Sequence, residues 1–149
     1  MPLTKLVNGK EVALTDEEEA EFRAEWARND AARNAVTAEH INTERERRKY
    51  LPKTVSLSTG KAFPVDMVNG GRENIANLSL FALVKKGAGD TSTFLFADAD
   101  NNDQTLSNDE MLEVGVQCAQ QITAIHQKAR VLKALQEKPA DYTDLKHWL

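Results

Sequence analysis

The chain has 149 residues, 41% of them apolar and 28% charged, with a net charge of −4 and a pI near 5.4. This describes about one globular domain, or one domain with an arm, and argues against global disorder. The acidic balance excludes a general nucleic-acid binder, which needs a basic face to displace counterions.

At the N-terminus, Leu6-Val7-Asn8-Gly9-Lys10-Glu11-Val12 predicts a small hairpin, because Asn-Gly supplies the positive φ angles of a two-residue turn. Thr15-Asp16-Glu17-Glu18 has the form of a capping box, with acidic residues suited to the helix dipole. The pattern predicts a helix from Asp16 to about Lys49, stopping before Pro52. At about 34 residues it would span about 50 Å.

The helix is Ala-rich and poor in large apolar residues, so it requires a partner for stability. Ala20, Ala24, Ala27, Ala31, Ala35 and Ala38 recur at spacings of three and four and are continued by Ile41, with Phe22, Trp26 and Val36 to one side. These residues form the predicted partner interface: a close helix–helix seam, weaker than a self-standing coiled coil because Leu and Ile are scarce along it. The helix ends in Glu44-Arg45-Glu46-Arg47-Arg48, whose alternating signs read as a solvated, salt-bridged face.

The expected division is residues 1–51 as hairpin and helical arm and residues 52–149 as a compact body. Val55 and Leu57, then Phe63 and Val65, alternate with polar residues about Thr59-Gly60 and predict a second hairpin, with Pro64 at an edge or strand end. Asn69-Gly70-Gly71 breaks the chain. Arg72 to Lys86 then reads as a helix with Ile75, Leu78, Phe81, Ala82 and Val84 on a broad face and Gly87 as its stop. Thr93 to Ala97 is a third body strand, followed by a polar turn.

Ser107-Asn108-Asp109-Glu110 is a second capping box. It opens a helix running to Lys138, with Met111, Val114, Cys118, Ile122, Ile125, Ala129, Leu132 and Leu135 as its core stripe. Tyr142, Leu145, Trp148 and Leu149 are placed to fold back on the body. The expected fold class is α+β: a hairpin and long helical arm, then a small antiparallel sheet packed by two helices.

The chemistry-bearing candidates are few. Asp98, Asp100 and Asn102 occupy positions 1, 3 and 5 of a calcium-loop pattern, but Asp103 stands where glycine is needed and Asp109, not glutamate, falls at position 12. The 98–109 loop therefore carries only the alternative reading, a small calcium-binding interaction module. The plainer reading is a polar turn capped by Ser107. His40, His126 and His147 have no zinc spacing, and His126 reads as a packed, hydrogen-bonded residue. The lone Cys118 sits on an apolar stripe and reads as a small hydrophobe. No phosphate loop, nucleophile elbow or dinucleotide fingerprint is present. The expectation is a protein with no cofactor, no metal and no catalytic residues.

Ile41-Asn42-x-Glu44-Arg45-x-Arg47-Arg48 is followed by the Val55 to Val65 hairpin and by Arg72-Glu73-Asn74-Ile75-x-Asn77-Leu78. Phe94 to Asn101, Leu106-Ser107 and His126-x-x-Ala129-Arg130-x-Leu132-Lys133 complete the series. This order resembles an uncharacterised domain common in tailed-phage and prophage proteins, often in or encoded beside tail-fibre and tail-fibre-assembly genes. Val7-Asn8-Gly9 and Leu14-Thr15-x-Glu17-Glu18 are similar to the start of many small phage tail proteins. The chain departs from that pattern at Phe94 or Phe96, where the family often has tryptophan, and at its final His147-Trp148-Leu149. The resemblance implies a non-enzymatic tail protein, either a part of the fibre or tail tip in the virion or a factor for fibre assembly, made in the host cytoplasm. Its partners would be other tail proteins or further copies of itself, for example as a trimer, with no nucleic acid and no membrane insertion.

Overall fold

A computed structural model describes residues 3–68 and 70–149; the predicted break at Asn69 lies outside the described residues at that position. The protein is α+β. It divides into two units, one ending at Val36 and one running from Thr37 to Leu149, so the expected boundary after residue 51 lies inside the second unit.

The first unit is a hairpin and a helix. Strands β1 (Thr4–Val7) and β2 (Lys10–Ala13) pair antiparallel about Asn8 and Gly9, whose φ angles of 50° and 78° are those of a type I′ turn. Helix α1 (Asp16–Asn34) starts at the predicted capping box, with Thr15 Oγ1 accepting from Glu18 N and Glu18 Oε2 accepting from Thr15 N. Lys5 pairs with Glu18 and ties β1 to the first turn of α1.

The expected single helix to Lys49 is interrupted. Ala35 and Thr37 are extended, and α2 (Ala38–Lys49) begins afresh under Thr37, whose hydroxyl accepts from His40 N at 3.3 Å while His40 Nδ1 accepts from Thr37 N at 3.2 Å. This is a capping box with histidine in the glutamate's place, which the usual Ser/Thr-x-x-Glu/Gln template does not register. The β-branched pair Val36-Thr37 also lowers helix propensity at the break.

The body contains two separate hairpins rather than one sheet. Strands β3 (Lys53–Ser56) and β4 (Ala62–Val65) pair with Val55 opposite Phe63. Strands β5 (Phe94–Ala97) and β6 (Asp103–Leu106) pair with Phe94 opposite Leu106. The backbone bond from Ala99 N to Pro64 O, at 2.9 Å, links the two hairpins. The second part of the stretch read as a polar turn is thus strand β6; only Leu106 of its residues is buried, so it carries no apolar alternation.

Helix α3 (Gly71–Gly87) turns Ile75 and Ala82 into the core, with Leu78 half-buried against it, but leaves the expected core residues Phe81 and Val84 exposed. Helix α4 (Asn108–Ala134) buries Met111, Val114, Cys118, Ile125, Ala129 and Leu132, with Ile122 half-buried. It ends before the expected Lys138, and Leu135 is exposed. Pro139 has no N–H to return to the Leu135 carbonyl, and Lys138 Nζ donates to that oxygen instead. Of the tail, Trp148 is buried, while Leu145 and Leu149 remain exposed.

Helices α3 and α4 approach closely at Gly115. A Cβ there would lie 2.2 Å from Ser79 Oγ and 2.8 Å from Ser79 Cβ. Ser79 Oγ is held by the Ile75 carbonyl at 2.7 Å, so it has little freedom to yield. Gly115→Ala is expected to lower stability by about 1–3 kcal/mol despite alanine's better helix propensity, through overpacking. Ser79→Gly in the same chain should recover part of the loss. Urea unfolding of the single and double variants checks this coupling.

Candidate functional site

Helix α1 has no buried residue, an unusual state for a helix of 19 residues. At about 100° per residue, its apolar groups fall on two opposite faces. Ala20, Ala24, Ala27 and Ala31 line one face, and Phe22 and Trp26 the other. The single seam read from the sequence is therefore two surfaces. Its outer members separate further: Ala35 lies in the interruption, Ala38 is exposed in the first turn of α2, and Ile41 is fully buried in the body. Ile41 is a core residue, unavailable to a partner.

The aromatic face is the more built of the two. Phe22 and Trp26 are one helical turn apart and meet edge to face at 5.9 Å between ring centroids, yet stay 47% and 59% exposed. A groove of about 240 Å³ lies among Phe22, Glu25, Trp26 and Asn29. A second of about 350 Å³ lies among Arg23, Trp26, Ala27 and Asp30. Trp26 thus stands as a ridge between two shallow, charge-rimmed grooves, able to insert into a partner's pocket but holding no group for covalent chemistry.

The arginine cluster does not form one solvated face. Arg47 meets the Glu44 carboxylate at 2.7 Å, and Arg45 and Lys49 meet Glu46, as surface pairs do. Glu44 and Arg48, however, are buried. Arg48 Nε lies 2.7 Å from Glu44 Oε1, though not in line for a good hydrogen bond, and Arg48 Nη2 donates to the Thr143 carbonyl at 2.6 Å. Its guanidinium sits 5.0 Å over the Trp148 ring, and Trp148 Nε1 donates to the Tyr142 carbonyl at 2.7 Å. Arg48 therefore clips the C-terminal tail to the body. The signal available in sequence was the tryptophan near the chain's end, with no indication of which cation it would meet.

The acidic loop organises its own turn. Asp98 accepts from Asp100 N, Asn102 N and Gln104 Nε2 at 2.8–2.9 Å, and these bonds, that from Asn102 foremost, hold its carboxyl below the usual range. Among the described residues, no three of His, Cys, Asp and Glu lie together as a metal site would require. Glu110 joins the β3–β4 turn to α4. It accepts from Lys61 Nζ, from Thr59 Oγ1 at 2.7 Å and from Ser107 N at 2.8 Å, and these bonds, Lys61's first, bring its pKa from 4.5 to about 2.

The histidines stand apart. His40 belongs to the α2 cap, His147 meets Asp141 at 2.9 Å, and His126 makes no hydrogen bond among the described residues, with burial holding its pKa down. Cys118 is buried and its thiol pushed up by that burial. Sequence reasoning missed Lys85, which is buried with Nζ donating to the Ser92 carbonyl at 2.6 Å and 4.3 Å above the Phe94 ring. Among the described residues, no helix is long and apolar enough to cross a membrane.

Comparison with curated proteins and with solved structures finds no match. The family described as a domain of unknown function (DUF4376) matches residues 24–146, and the chain belongs to that family. The match takes in the body through residue 146 of the tail and the half of α1 that carries Trp26, and leaves out the β1–β2 hairpin, Phe22 and the last three residues.

Two measurements check these assignments. A depressed carboxylate stabilises the fold above its unfolded pKa and loses that contribution as pH falls through its folded pKa. Glu110 should therefore contribute fully above pH of about 4.5 and lose its contribution on acidification towards about 2. Glu110→Gln should lower the urea midpoint near neutrality and flatten its fall across that window. For the tail, Trp148→Ala is expected to cost about 3 kcal/mol as a buried aromatic truncation. Arg48→Lys should free the tail as well, since an ammonium lacks the planar fork that meets carboxylate, carbonyl and ring together. Hydrogen exchange at Thr143 to Trp148 reads both.

Proposed function

We propose that this protein is a non-enzymatic docking component of a bacteriophage tail, part of the fibre or tail tip or a factor in fibre assembly. The observation that carries the docking half is α1: a capped helix with no buried side chain and an exposed edge-to-face Phe22–Trp26 pair. Such a helix gains its stability by covering that face with another protein. Aromatic anchors of this kind dominate binding energy at interfaces.

The tail assignment rests on the resemblance described above, carried by Ile41 to Arg48, Arg72 to Leu78 and His126 to Lys133. Its partner on this reading is another tail protein, and its location is the virion or its assembly intermediate.

The test uses a phage or prophage that encodes the chain. Phe22→Ser with Trp26→Ser should reduce fibre-bearing particles while leaving the isolated protein's unfolding midpoint unchanged, because neither side chain is buried. Two anchors at about 2 kcal/mol each predict a contact weakened by about 500-fold or more. Deletion of the gene with full recovery of fibre-bearing, infectious particles would overturn the reading. Presence of the chain in purified virions separates a resident component from an assembly factor.

A further inference from the structure

Helix α1 carries the chain's charge imbalance as well as its exposed aromatic pair. Its 19 residues hold seven acidic groups and three arginines, a charge of −4 that equals the net charge of the whole chain. Outside α1, acidic and basic residues balance. Part of this has a local cause. Asp16 to Glu19 stand in the first turn, where the helix dipole favours carboxylates, and Glu18 and Glu19 pair with Lys5 and Arg23.

Glu25 and Asp30 have no such cause. Both lie beyond the first turn, both are exposed, and neither meets a cation among the described residues. They line the two grooves that flank Trp26, Glu25 beside Phe22 and Asp30 beside Arg23. At about 100° per residue they fall on opposite sides of the indole. Arg23, the one cation in the second groove, is already taken by Glu19. The ridge is thus an apolar projection between two uncompensated carboxylates.

We propose that a basic protein surface receives this ridge: an apolar pocket takes the Trp26 indole, with a lysine or arginine on each side to meet Glu25 and Asp30. This rests on the docking reading above and adds the partner's chemistry. The indole supplies the burial, and opposite charge at the rim steers the encounter and rejects wrong partners. The same carboxylates repel nucleic-acid phosphates and anionic lipid headgroups. A second copy of α1 would set one charge of −4 against another.

In the phage or prophage that encodes the chain, Glu25→Lys with Asp30→Lys should lower the yield of fibre-bearing particles by about tenfold or more. Glu21→Lys, about 140° round the helix from Trp26, should leave the yield unchanged. Glu25→Ala with Asp30→Ala should give an intermediate loss; alanine favours the helix, so that loss cannot come from unfolding α1. A benzophenone side chain at position 22 should cross-link during assembly to a segment of another protein that carries lysine or arginine. Continued passage of the double-lysine phage should select changes from lysine or arginine to an acidic residue in that segment.

Full yield from the double-lysine variant, alongside loss from Phe22→Ser with Trp26→Ser, would overturn the basic partner and leave the docking reading standing. Equal loss from Glu21→Lys would overturn it as well, by reducing the effect to bulk charge. So would cross-linking to an acidic segment, to lipid, to nucleic acid or to α1 of a second copy. Full yield from the aromatic and the charge variants alike would sink the docking reading and this proposal with it.

Discussion

Two-stranded hairpins cannot bury their own apolar faces, and helix α4 resolves that constraint for the body. Its apolar stripe joins the core formed with Val55, Phe63 and Val65 of one hairpin and Phe94 and Leu106 of the other. A polar row beside that stripe serves a second purpose. Glu110 holds Thr59 and Lys61, Glu113 accepts from Ser58 N and Oγ, and Gln117 exchanges two hydrogen bonds with the Ser56 backbone. These residues stand at successive turns of α4 and occupy the backbone of the β3 side and its turn, which would otherwise present an open strand edge. One helix thus supplies both the apolar cover and the missing hydrogen-bond partners.

The body keeps several charges out of water, each held by more than one partner. Arg48 spans Glu44, a carbonyl and an indole; Lys85 spans a carbonyl and an aromatic face; Glu110 spans three donors. Removing one partner of such a group costs more than the group's net contribution, because a buried charge is left unmet. Each therefore fixes a junction, respectively the C-terminal tail, the loop after α3 and the β3–β4 turn. The first unit has no such junction buried within α1, whose side chains remain available on every side.

Two kinds of surface follow. On α1 the exposed apolar groups are an aromatic ridge on a helix with no core of its own. On α3 they are Leu80, Phe81, Leu83 and Val84, on a helix anchored by its other face. The family match crosses both units and takes in Trp26 and all of α3, but it begins after Phe22.

Local chemistry in the sequence determined the element starts. Asn8-Gly9 set the first turn, and Thr15 and Ser107, each with a glutamate three residues on, set two helix N-termini, because these signals act within a few residues. The α4 stripe was legible because its period is long and regular. Tertiary structure decided the rest. His40 completes the Thr37 cap only where the chain has already turned, strand β6 exists by pairing with β5, and the broad apolar face of α3 did not show that Ile75 and Ala82 would go inward while Phe81 and Val84 stay exposed. Burial of Arg48 required a tryptophan 100 positions along the chain, and a charge pattern within one helix cannot encode a contact at that separation.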